Sequence, residues 1–121
     1  MDCLFCKIIN NEIPSYKVYE DENVLCFLDI NPKSMGHTLI IPKKHFKDIN
    51  DIDMDYLLKI NEISKKIVGL LNEKLKPDGI QLVQNNGNIQ EVKHYHLHVI
   101  PNYIGKRKNK SVEEICELLT K

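Results

Sequence analysis

The sequence has no excess of either charge, since 17 Lys and Arg are balanced by 17 Asp and Glu. No overall field therefore draws the chain to nucleic acid or to an anionic membrane surface, although a local cluster can still hold a small anion. No basic leader followed by an apolar run opens the chain at Met1-Asp2-Cys3-Leu4-Phe5-Cys6, so no signal peptide is expected. No apolar stretch approaches the roughly 20 residues that a bilayer crossing needs. Repeats, low-complexity tracts and long linkers are missing as well, which leaves the 121 residues to a single domain, 1–121. Cysteine is limited to Cys3, Cys6, Cys26 and Cys116. Without a secretion signal, the Cys-x-x-Cys pair reads as a metal or redox site in preference to part of a disulfide framework. Cys26, inside Val24-Leu25-Cys26-Phe27-Leu28, and Cys116, in a helix-like tail, read as small buried hydrophobes. A reducing compartment follows, and the cytoplasm is the expected one.

What is present suits an ordinary globular domain, with 42% hydrophobic and 28% charged residues. At this length roughly two thirds of the unfolded chain's surface can be buried, so a core is possible without disulfides. Lys7-Ile8-Ile9 is a short helical turn or the start of a strand. Residues 17–20 and 24–30 read as strands around the turn Asp21-Glu22-Asn23, and 37–41 as another ended by Pro42. A long helix follows, with Asp53 placed to cap it and Leu57, Ile60, Ile63, Ile67, Leu70 and Leu71 at three- and four-residue spacing. That stripe is core packing. Residues 80–84 and 94–100 are two further strands, separated by a polar loop at 85–91. Pro101 closes the last strand, and 112–121 carries a short terminal helix. Strands on both sides of one long helix give an α+β domain with a mainly antiparallel sheet.

The most informative residues are His94, His96 and His98. In a strand they share one face, while Tyr95, Leu97 and Val99 anchor the other on the core. Each imidazole can be a neutral nucleophile, a cationic donor or a metal ligand near pH 7. Neighbours on that face lie about 6.6 Å apart and the outer pair about 13 Å apart. With a Zn–N bond of about 2 Å, one ion reaches two neighbours easily and all three only with strain. A division of labour is therefore favoured over a three-histidine metal site. Around them, Asn85, Asn86, Gly87 and Gln90 form a loop whose amides can hold phosphate oxygens. Asp29, at a strand end, can accept from a ribose diol. Phe5, Ile8 and Phe27 can form an apolar slot for a base. Each of these also has a duller explanation in turns or core.

Taken together, these segments carry a resemblance. His94-Tyr95-His96-Leu97-His98-Val99-Ile100 matches the His-φ-His-φ-His-φ-φ signature (φ apolar) of the histidine triad (HIT) family. The likeness runs from Leu4 through Pro101 and includes Lys7-Ile8-Ile9, Glu12-Ile13-Pro14, Phe27-Leu28-Asp29-Ile30, Gly36-His37-Thr38-Leu39-Ile40-Ile41-Pro42-Lys43-Lys44-His45 and Asn85-Asn86-Gly87. It is nearest to the histidine triad nucleotide-binding branch. The resemblance implies a HIT-like fold, a homodimer, purine nucleotide substrates and hydrolysis of phosphoramidates or related AMP-linked compounds at the α-phosphorus. It implies that His96 is the nucleophile of a covalent nucleotidyl-histidine intermediate and that His98 contacts the phosphate oxygens. His94 would orient His96, partly through its main-chain carbonyl, and His37 would lie near the phosphate. Asp29 would hold the ribose, Phe5, Ile8 and Phe27 the base, and Asn85 and Gln90 the phosphate side. No metal is needed for such a covalent route. The chain departs from the family in the loop before the histidines, which is short of a glycine and has Glu91 where a small hydroxyl residue is usual.

Cys3 and Cys6 have the spacing of a zinc half-site. The resemblance adds His45 and His94, giving a structural zinc on Cys3, Cys6, His45 and His94. A redox role has less support, because no thioredoxin-like βαβ pattern surrounds the pair. Three other functions stay open. These are a dinucleoside polyphosphate hydrolase, a nucleotide-binding regulator with little catalysis (which Glu91 favours), and a hydrolase that uses a histidine-bound zinc. The basic loop 105–110 can meet a polyphosphate tail, though a solvated loop is the commoner fate of such a charge run.

Overall fold

Two neighbouring strands, β2 (Val24–Leu28) and β3 (Thr38–Pro42), are buried at every position, so both faces of the sheet must be covered there. A computed structural model describes residues 3–121 and accounts for that burial. Around the pair lie α1 (Leu4–Ile9), β1 (Lys17–Glu20), α2 (Met54–Leu75), β4 (Gly79–Gln84), β5 (Leu97–Asn102) and α3 (Val112–Thr120). The sheet order is β1-β2-β3-β5-β4 and every pairing is antiparallel. The α+β class expected from the sequence is the one found.

Strand alternation sorts the core into two. Val24, Cys26, Leu28, Ile40, Leu97 and Val99 face α2, where Ile60, Ile63, Ile67 and Leu71 are buried against them. Each such side chain contributes about 1.5–3 kcal/mol on leaving water. The intervening residues Leu25, Phe27, Leu39 and Ile41 face the other way and pack on Cys3, Phe5 and Ile8 from α1 and its cap. This second face receives the histidines. Burial raises the Cys26 thiol to about 12, as befits a packing residue, and the Cys116 thiol is turned to the Lys17 carbonyl at 3.6 Å.

Several boundaries move from their expected places. Lys7-Ile8-Ile9 is helical. The long helix reaches Leu75 and ends on Lys76 in the left-handed region, φ 49°. Asp53 holds the N-cap position but its side chain makes no capping bond. The terminal helix is capped by a reciprocal Ser111–Glu114 box. The largest difference is in the histidine segment. β5 begins at Leu97, not His94, and continues through Pro101 to Asn102. The cause lies in β3, which ends at Pro42, a residue with no N–H to extend a ladder. Upstream of Leu97 the chain bonds elsewhere, with Tyr95 N–H donating to the Phe46 carbonyl at 2.7 Å. The alternation of faces survives, because Tyr95 still joins the α2 core. Among the described helices, none is long and apolar enough to cross a membrane.

Candidate active site

The His94 carbonyl, released from the strand ladder, accepts a hydrogen bond from His96 Nδ1 at 2.7 Å. A carbonyl only accepts, so the His96 ring proton sits on Nδ1 and the Nε2 lone pair is free. Both rings are buried. Burial holds His96 below its ordinary value, against the opposing pull of the His94 carbonyl and the Glu91 and Asp29 charges. A neutral imidazole with an exposed lone pair at pH 7 is the result.

His98 carries the opposite tautomer. The Lys33 N–H donates to His37 Nδ1 at 3.1 Å, which places the His37 proton on Nε2. That proton faces His98 Nδ1 at 2.9 Å, so the His98 proton sits on Nε2. Burial, then the neighbouring His96 and His37, lower His98 to about 4. The row therefore presents a lone pair on His96 and an N–H on His98, with ring centroids 4.8 Å apart. Gly36 makes the approach of His37 possible. It adopts φ +87°, and a Cβ there would meet Leu75 Cδ1 at 2.6 Å. Asp29, His37 and His98 also bring ligand atoms within 4.8 Å of one another. The Lys33 N–H keeps the His37 proton where a metal would have to bind, so this trio suits hydrogen bonding better than an ion.

His96 and His98 line a cavity of about 210 Å³. Phe5, Ile8, Phe27 and Leu39 form its apolar wall, and Phe5 meets the His96 ring edge-on at 5.1 Å. Asp29 sits at the same cavity with one oxygen accepting from Asn31 N–H at 2.9 Å, which leaves lone pairs for a ligand. Ser15 also lines it, and its hydroxyl is buried without a hydrogen-bond partner among the described residues. A buried orphan hydroxyl in a cavity wall is a group that a ligand can satisfy.

Beside the cavity, Cys3, Cys6, His45 and His94 bring four ligand atoms within 4.8 Å of one another. Cys3 Sγ lies 3.4 Å and Cys6 Sγ 3.7 Å from His94 Nδ1, with Cys6 Sγ to His45 Nδ1 at 3.3 Å and the two imidazole nitrogens 3.1 Å apart. Tetrahedral zinc, with bonds of about 2.0–2.3 Å, needs edges of about 3.3–3.8 Å, which the three sulfur–nitrogen distances meet and the imidazole pair falls just short of. The His94 tautomer fits too, since its Nε2 lies 2.9 Å from the Pro42 carbonyl and donates to it, turning the Nδ1 lone pair to the cluster. Burial and Cys3 push the Cys6 thiol up to about 11, so a cation must displace the protons as it binds.

The HIT domain family model matches residues 10–105. The chain belongs to the HIT family. An uncharacterised HIT-like protein of Methanocaldococcus jannaschii is 47% identical over 125 residues, spanning 95% of this chain and 96% of that protein. An adenosine 5′-monophosphoramidase of Saccharomyces cerevisiae is 44% identical over 111 residues, spanning 90% of this chain and 65% of the yeast protein. The crystal structure of a Zn-bound histidine triad family protein from Mycobacterium smegmatis matches with a TM-score of 0.91 at 37% identity, covering 99% of this chain and 91% of that one.

In this HIT protein the residues singled out from the sequence fall into three groups. Phe5, Ile8, Phe27, Asp29, His96 and His98 meet at one cavity. His37 touches that group from behind through His98, and His94 links it to Cys3, Cys6 and His45. Asn85 and Gln90 do not line the cavity. The Gln90 carboxamide is taken up within the loop, accepting from Gly87 N–H at 3.0 Å and donating to the Lys47 carbonyl at 2.8 Å. Sequence reasoning did not place Leu4, Ile13, Ser15, Ile30 and Val92 at the site, and they also line the wall. Leu4 and Ile30 are 46% and 69% exposed, and no periodicity marks such residues, because they belong to a cavity rim and not to the core.

Proposed function

We propose that this HIT protein is a nucleotide hydrolase that cleaves AMP-linked phosphoramidates, or related purine nucleotide conjugates, at the α-phosphorus. The observation that carries the reading is the pair of opposite tautomers, a lone pair on His96 beside an N–H on His98. His96 Nε2 forms a bond to phosphorus while the P–N bond of the substrate breaks. The amine leaves with the electron pair and takes a proton from water at the cavity mouth, leaving hydroxide. Water then attacks the nucleotidyl-His96 intermediate and gives its proton to that hydroxide, the P–N bond to His96 breaks with the electron pair returning to Nε2, and AMP is released. The His98 Nε2–H stabilises the phosphoryl oxygens in both steps, and His37 fixes the His98 proton. His94 holds His96 in its attacking tautomer.

Phe5, Ile8 and Phe27 take the base and Asp29 the ribose diol. Asn85 and Gln90 belong to the loop that frames the phosphate side. The yeast relative named as an adenosine 5′-monophosphoramidase supports this choice of substrate. We assign Cys3, Cys6, His45 and His94 to a structural zinc that takes no part in the chemistry. A reducing compartment, the cytoplasm, suits its thiolate donors. We also assign a homodimer, as the family resemblance implies, and the β4 edge of the sheet is one face open to a second chain. That strand is unpaired on its outer side among the described residues, Leu82 on it is 51% exposed, and free apolar edges favour pairing with a second chain.

The test is release of AMP from adenosine 5′-phosphoramidate by wild type and His96→Ala, at equal folded concentration and with a chelator present. Turnover by wild type alone is expected. Turnover by the His96→Ala protein would overturn the mechanism.

A further inference from the structure

The cavity is unusual in its charge. Among the described residues it is lined by two carboxylates, Asp29 and Glu91, and by no lysine or arginine. The basic residues of the neighbourhood are directed elsewhere. Lys93 Nζ donates to the Gly87 carbonyl at 2.6 Å. Arg107, from the basic loop, pairs with Asp78 at 3.0 Å. Lys33 and Lys110 line a neighbouring cavity that shares Leu28 and Asp29 with this one, and the Lys33 charge acts on His98 from there. A polyphosphate tail entering at His96 would find no lysine or arginine in the wall itself among the described residues.

The two carboxylates are not equivalent. Asp29 is spoken for on one oxygen by Asn31 N–H, and its other oxygen is 3.8 Å from His37 Nε2. Glu91 has no ion-pair partner among the described residues. It stands next to Val92 in the wall that holds His96, and its charge acts on the His96 ring. With the nucleoside half seated between Phe5, Phe27 and Asp29, the half that remains to be placed is the departing one. An unpaired anion at that position repels a departing anion and attracts a cation.

We infer that Glu91 selects the departing half of the substrate, favouring amines that carry a further positive charge and disfavouring anionic groups, polyphosphates included. The inference rests on the hydrolase reading above and narrows its substrate class to phosphoramidates of cationic amines. Glu91 is exposed, so its effect is that of a solvated pair, about three- to fivefold for each change of one charge. It also weakens as salt is added.

A matched series isolates the effect: adenosine 5′-phosphoramidates of diaminobutane, butylamine and aminobutyrate, alike in length and differing in the charge of the tail. The readout is the ratio of kcat/KM values along the series for wild type, Glu91→Gln and Glu91→Lys, at low and high salt. Wild type is expected to prefer diaminobutane over butylamine and butylamine over aminobutyrate, with the series levelled in Glu91→Gln, inverted in Glu91→Lys and compressed by salt. A series with the same slope in all three proteins would overturn the inference while leaving the hydrolase reading intact. Failure of the wild type to turn over any member would overturn both.

Discussion

His94 accepts the Nδ1–H of His96 through its main-chain oxygen at 2.7 Å, while its own ring lies 2.9 Å from the Pro42 carbonyl and donates to it from Nε2. One buried residue thus sets the tautomer of His96 and presents its own second nitrogen to the cysteine cluster. If the tautomer is what arms His96, then His96→Ala loses turnover by about a thousandfold or more. Loss of the His98 donor, in His98→Ala, is expected to cost about a hundred- to a thousandfold. Single-turnover kinetics with alkaline quench, followed by mass spectrometry for a nucleotidylated chain, check both. A covalent adduct at any residue other than His96 would refute the assignment.

Gly36 has a less visible part in the same site. Its φ of +87° strains any residue that carries a Cβ, and a Cβ there would also push on the end of the Leu75 side chain at 2.6 Å. Gly36→Ala is expected to destabilise the fold by about 1–3 kcal/mol, which is a thermal midpoint lower by roughly 4–12 °C. Because His37 follows directly, turnover should fall as well at temperatures where the variant is still folded. Unchanged thermal unfolding would show that the α2 terminus yields readily.

The core and the histidine row were legible because both are written in periodicity. The period of two in His94–Val99 and the three- and four-residue spacing from Leu57 to Leu71 translate directly into which side faces α2. Strand ends were less legible. That β5 starts only at Leu97 depends on Pro42, more than fifty residues earlier, failing to continue a ladder. Gln90 shows the same limit at the site. A carboxamide beside a phosphate-binding motif looks like a ligand contact, yet its oxygen and nitrogen go to Gly87 and Lys47. The Ser15 hydroxyl was invisible for the converse reason, since its interest lies in having no partner.

Protonation of His98 links the site to stability. Its folded value is lowered from 6.5 to about 4, first by burial and then by His96 and His37. Between those values the unfolded chain binds a proton that the folded chain does not, so stability rises with pH. The contribution is present above pH 6.5 and is lost as pH falls toward about 4. Its upper bound is on the order of 3 kcal/mol, before allowance for solvent access. Urea unfolding across this range should show the midpoint falling with pH, with a shallower slope in His98→Asn. Parallel slopes in the two proteins would remove His98 as the cause.

Zinc removal separates a structural ion from a chemical one. The segment that carries His96 is held by bonds that do not use the cluster's ligand atoms, Tyr95 N–H to the Phe46 carbonyl at 2.7 Å and His94 Nε2 to the Pro42 carbonyl at 2.9 Å. The Nδ1–H of His96 therefore keeps its acceptor when the ion leaves. An ion on the cluster would tie down the N-terminal helix, through Cys3 at its cap and Cys6 within it. The protein should bind one zinc per chain, with affinity reduced by Cys6→Ser. Chelation should lower the thermal midpoint and loosen the Phe5 and Ile8 wall, raising KM while leaving kcat within about threefold, less than one kcal/mol in the barrier. Loss of kcat in step with metal content, in a chain that circular dichroism shows to be folded, would place the ion in the chemistry after all.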